Sequence, residues 1–62
     1  MWVEIKRVSN LMAAQMWKDM LEGEGIPTRI LAQKPEGGEF SPYIVYVPHF
    51  REHVVEEILR KL

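Results

Sequence analysis

The sequence predicts an α+β fold: a three-stranded antiparallel sheet of strand order 1-3-2 with two helices on one face. Three observations predict it. A strong helix pattern lies between two strand patterns; a Gly-Gly pair folds the second strand back into a third; and the C-terminal stretch carries an apolar stripe at helical spacing. The chain of 62 residues, 47% of them apolar, reads as one small domain spanning 1–62.

The first strand covers 2–8, Trp-Val-Glu-Ile-Lys-Arg-Val. Alternation over part of its length sends Val3 and Ile5 to one face and Trp2, Glu4 and Lys6 to the other. Ser9 and Asn10 are N-cap residues, and Leu11 to Glu24 holds no Pro or β-branched residue. Ala13, Ala14, Trp17, Met20 and Leu21 form its core stripe, with Trp17 expected to be largely buried. Gly25 is placed to end the helix in the left-handed region.

Ile26 to Lys34 reads as the second strand, with Pro27 at its start because Pro has no N–H for a ladder. Pro35 to Ser41 is a hairpin loop around Gly37-Gly38, and Pro42 to Val47 is the third strand, ended by Pro48. Residues 50–62 form the second helix, striped by Val54, Val55, Ile58, Leu59 and Leu62. On its wet face Glu56 with Arg60 and Glu57 with Lys61 stand at i,i+4. The order β-α-β-β-α is a ferredoxin-like split β-α-β unit missing its last strand.

Turning the chain at Gly37-Gly38 fixes the register. Ile30 then faces Val45, Thr28 faces Val47, Ala32 faces Tyr43, Leu31 faces Ile44 and Arg29 faces Tyr46. The helix-covered face collects Val3, Ile5, Ile26, Thr28, Ile30, Val45 and Val47, small and β-branched. The open face carries Trp2, Glu4, Lys6, Arg29, Leu31, Ile44 and Tyr46. Contiguous exposed apolar residues mark interfaces, and Trp, Tyr and Arg are enriched at binding hot spots. Trp2, Arg29, Leu31, Ile44 and Tyr46 are therefore the candidate ligand or partner surface. Single exposed aromatics that only brace a sheet are the bland alternative.

Chemistry-bearing motifs are few. His49 and His53 stand four apart, a spacing that suits metal ligation, but no Cys and no fixed third ligand accompany them, so no metal site is expected. Gly23-Glu24-Gly25 ends a helix where a phosphate loop would open one. Ser9 and Ser41 lack a neighbouring base, and no cleft for paired carboxylates is evident, so neither an enzyme nor a cofactor is expected. Trp2 and Tyr46 offer stacking surfaces for RNA bases, but Glu4 offsets Lys6 and Arg29 and the net charge is −1, which argues against a nucleic-acid partner. Met12, Met16 and Met20 line one side of the first helix and hint at association. No apolar run approaches the roughly 20 residues of a membrane span, and Glu4 precedes any basic residue, unlike an export signal, so a soluble, cytoplasmic protein without membrane partners is expected.

The segment MLEGEGIPTRI, with the later Val47-Pro48 and Ile58-Leu59, resembles a small bacterial family of unknown function labelled prokaryotic signal-transducing proteins. The shared residues are Leu21, Glu24, Gly25, Ile26 and Pro27, and the likeness spans Val3 to Leu62. His49-Phe50 departs from the acidic residue usual after the Val-Pro pair, and the hairpin loop is short. The resemblance implies the same fold and a regulatory role.

Two functional expectations follow. One is a small regulatory or binding module that contacts a protein or small ligand through the open sheet face. The other is a structural self-association module with no ligand. A homodimer is expected on small-core grounds, either by first strand pairing with first strand across their free edges or by stacking of the open faces.

Overall fold

The computed structural model describes residues 1–62. Its elements are β1 (Trp2–Val8), α1 (Leu11–Gly23), β2 (Arg29–Ala32), β3 (Tyr43–Pro48) and α2 (Glu52–Arg60). The sheet is antiparallel with order β1-β3-β2, as the sequence predicts. Leu21 of α1 and Val55 of α2 join Ile26, Val45 and Val47 in one buried cluster, which puts both helices on the Val45 side of the sheet.

Local chemistry sets the element ends. The Asn10 side chain accepts a hydrogen bond from the Ala13 amide at 2.8 Å and starts α1. The helix stops at a Schellman turn: Gly25 has φ +83°, its N–H bonds Glu22 O at 2.9 Å, and the Ile26 N–H bonds Leu21 O at 3.0 Å. Leu21 and Ile26, the apolar pair that accompanies such a turn, are both buried in the core. The chain stop is thus also a core contact.

The β2–β3 register is the one expected, pairing Arg29 with Tyr46, Ile30 with Val45, Leu31 with Ile44 and Ala32 with Tyr43. The ladder is shorter than the predicted strand. Ile26–Thr28 run in as an extended segment in which the Thr28 hydroxyl donates to Ile26 O at 3.0 Å. The hairpin loop winds into a 3-10 turn over Pro35–Phe40, kinked at Gly38 with φ 58°. Buried Ser41 clips it, its hydroxyl accepting from the Lys34 N–H at 3.0 Å.

Four expectations need correction. First, β1 carries a β-bulge: Glu4 pairs with Tyr46 but Lys6 pairs with Val45, so Ile5 is the extra residue. The bulge reverses alternation beyond Ile5. Lys6, expected on the open face, turns to the helix side, with Nζ 5.4 Å from the centre of the Trp17 ring. Second, Trp17 is half-buried, not largely buried, since it sits at the edge of the α1 contact where Lys6 reaches it. Third, the C-terminal helix does not run over 50–62. A 3-10 turn over His49–Arg51 precedes it and it ends at Arg60, leaving Leu62 77% exposed and Val54 exposed at the margin of the stripe. Fourth, its ion pairs run at i,i+3: Arg60 with Glu57, and His53 with Glu56 at 3.9 Å.

Candidate functional site

The open face is built in rows across the three strands. Trp2 of β1 lies opposite Pro48 of β3. The next row is Glu4, Tyr46 and Arg29, and the third is Arg7, Ile44 and Leu31. All five residues singled out from the sequence, Trp2, Arg29, Leu31, Ile44 and Tyr46, therefore share this face. Leu31 is 56% and Trp2 37% exposed, while Ile44 and Tyr46 on the central strand are half-buried between their neighbours.

The two edge strands communicate across β3. The Arg29 guanidinium carbon stands 4.5 Å from the centre of the Trp2 ring, a cation–π stack that joins β2 to β1 over the face. The stack holds both long side chains flat and leaves the outer side of the guanidinium for another group. Arg7 and Glu4 form a forked ion pair, Nε to Oε2 at 2.8 Å and Nη2 to Oε1 at 3.4 Å. Three residues apart on a regular strand they would point to opposite faces; the bulge at Ile5 puts them on the same one. The hydrogen bond from Arg7 holds the Glu4 carboxyl below its ordinary value of 4.5, and the same bond raises the Arg7 guanidinium. Arg7 was missed from sequence. Its signal was present: apolar residues Val3, Ile5 and Val8 recur at two and then three, the spacing a bulge produces.

Face charges are thus Glu4 against Arg7 and Arg29, and Glu4 is already shared with Arg7. Arg29 is left with an aromatic ring beneath it and no carboxylate in reach. The arrangement suits an apolar contact that brings one acidic group to Arg29.

Other features resolve into simpler roles. His49 and His53 border a shallow hollow of about 260 Å³ with Phe50 and Glu52, and no three metal-ligating side chains come together. The Ser41 hydroxyl is occupied in the loop clip. Met12 is 74% and Met16 67% exposed; Met12 and Leu11 border a hollow of about 270 Å³ with Phe40. No helix is long and apolar enough to cross a membrane. The residues that carry the family resemblance, Leu21 to Pro27 and Val47-Pro48, are those of the Schellman turn, the strand lead-in and the end of β3.

Comparison with protein-family models, with curated proteins and with solved structures gave no match to this chain.

Proposed function

We propose that this domain is a small binding module, of regulatory type, that works by covering its open sheet face with a partner. One observation carries the reading: Trp2, Leu31, Ile44 and Tyr46 form a continuous apolar strip beside a stacked, carboxylate-free Arg29. Side chains with this combination of aromatic area and a pre-positioned guanidinium are those that dominate binding energy when desolvated. The opposite face, by contrast, is already filled by the protein's own helices. Membership of the signal-transducing family belongs to the same proposal and accords with a regulatory role, although the residues behind the resemblance build the fold and not the face.

The test compares the wild-type chain with Leu31→Lys, which places a charge in the centre of the strip, and Met16→Lys, which places one on the exposed side of α1. All three should melt together in dilute solution, because each position is more than half exposed. Species retained from an extract of the source cells, free copies of the chain included, should be lost with Leu31→Lys and kept with Met16→Lys. Retention that survives Leu31→Lys contradicts the proposal.

A further inference from the structure

We infer that the occupant of the open face is a second copy of this chain, stacked face to face about a twofold axis parallel to β3. The inference rests on the open-face reading above and names its partner. The row Glu4–Tyr46–Arg29 supplies the argument. Its acid lies on one edge strand, its base on the other, and an aromatic residue stands between them. A twofold axis along β3 lays β1 of one copy over β2 of the other and leaves each row at its own height. Glu4 then meets Arg29 of the second copy and Arg29 meets its Glu4, while Tyr46 lies over Tyr46 and Ile44 over Ile44. The acid and base of this row are mutual complements in this orientation, as a closed twofold contact requires, while Arg7 comes over Leu31 of the second copy with its own Glu4 as partner.

The geometry around Arg29 suits this pairing. The guanidinium already lies on the Trp2 ring, so the incoming Glu4 carboxylate closes its free side. Arg7 stays bonded to its own Glu4 at the rim. An axis running across the strands through the Tyr46 row would instead set Glu4 on Glu4. One between the rows would press Arg29 against Leu31 with no carboxylate, which leaves a desolvated charge unpaired. Pairing of β1 edges is disfavoured by the bulge at Ile5, which breaks the alternation of outward N–H and C=O groups that a continuous ladder needs.

The experiment is sedimentation equilibrium of the full chain at neutral pH and low salt, from micromolar to millimolar concentration. The set comprises wild type, Glu4→Arg, Arg29→Glu, the double reversal and Leu31→Lys, each checked for an unchanged far-ultraviolet spectrum. The wild type should shift from one-chain to two-chain mass as concentration rises. Each single reversal should weaken the dimer about tenfold or more, and the double reversal should bind more tightly than either single reversal, short of wild type because it loses the Trp2 stack and the Arg7 pair. A double reversal as weak as the singles, or a dimer insensitive to Arg29→Glu, overturns the orientation. A one-chain mass at every concentration overturns self-pairing but leaves the open-face proposal to the Leu31→Lys retention test. A dimer indifferent to Leu31→Lys as well overturns both.

Discussion

The two faces of one sheet differ more than its three strands do. On the helix side Val45 and Val47 are buried completely, with Leu21, Ile26 and Val55 against them. On the other side Ile44 and Tyr46, their immediate neighbours in sequence, are half-buried, and Leu31 stands mostly in solvent. The first face is aliphatic and β-branched; the second mixes aromatic, aliphatic and paired ionic groups. Apolar packing dominates the first, with the buried Thr28 hydroxyl satisfied by Ile26 O and Lys6 reaching Trp17 only at its edge. The second keeps long side chains in set positions through a cation–π stack and a forked ion pair, both of which work at a surface. The contrast separates residues that hold the domain together from residues fixed in place at its surface.

Substitutions can break this comparison. The largest effect is expected from Leu21→Ala, which empties a fully buried site and should cost about 2–5 kcal/mol, a large fraction of the stability of so small a domain. Leu31→Ala removes the same atoms from the open face. In dilute solution it should cost under about 1 kcal/mol, because little of that side chain is buried. Urea denaturation of both variants checks the pair; equal losses would mean that the faces do not differ. Trp17→Ala should fall between them, below the roughly 3–5 kcal/mol of a wholly buried Trp, because one side of the indole faces Lys6.

The turn between α1 and β2 gives a smaller test. Gly25 has φ +83°, with open space where a Cβ would go, so Gly25→Ala meets backbone strain alone and should cost about 1–2 kcal/mol. Thermal melting that leaves Gly25→Ala unchanged would refute the Schellman assignment. The smallest effect concerns Glu4. Its carboxyl titrates below 4.5 because Arg7 donates to it, so the stabilisation is present above the unfolded value and is lost as pH falls through the folded one. Glu4→Gln should therefore lower the melting temperature slightly at neutral pH and flatten its decline in acid. An acid limb identical to wild type would show that the pair contributes nothing.

Much of this was legible in the sequence because the side-chain period of a strand is two. Any even-length loop kept Ile30 opposite Val45 and Leu31 opposite Ile44, so four of the five face residues, Arg29, Leu31, Ile44 and Tyr46, were placed without knowledge of how the loop winds. The same rule failed at Ile5. There one extra residue moved Lys6 to the helix side and brought Arg7 beside Glu4. Alternation holds only from Trp2 to Lys6, and the step of three from Ile5 to Val8 marks where it breaks. The start of the last helix was hidden for a different reason. An apolar stripe fixes which side is buried but not where the first α-helical turn closes, and Pro48 leads into a 3-10 turn over His49–Arg51. Partner identity was not legible at all from composition. The Glu4–Tyr46–Arg29 row that bears on it exists only once β3 lies between β1 and β2.

The central claim is that one face of the sheet is kept for a partner, and methyl-group NMR in the presence of a soluble paramagnetic chelate tests it most directly. Leu31 and Ile44 methyls should be shielded from the chelate in concentrated samples and become accessible on dilution, while Val45 stays shielded and Met16 accessible throughout. Leu31 as accessible as Met16 at every concentration, with no partner from the source extract restoring its protection, would contradict the account.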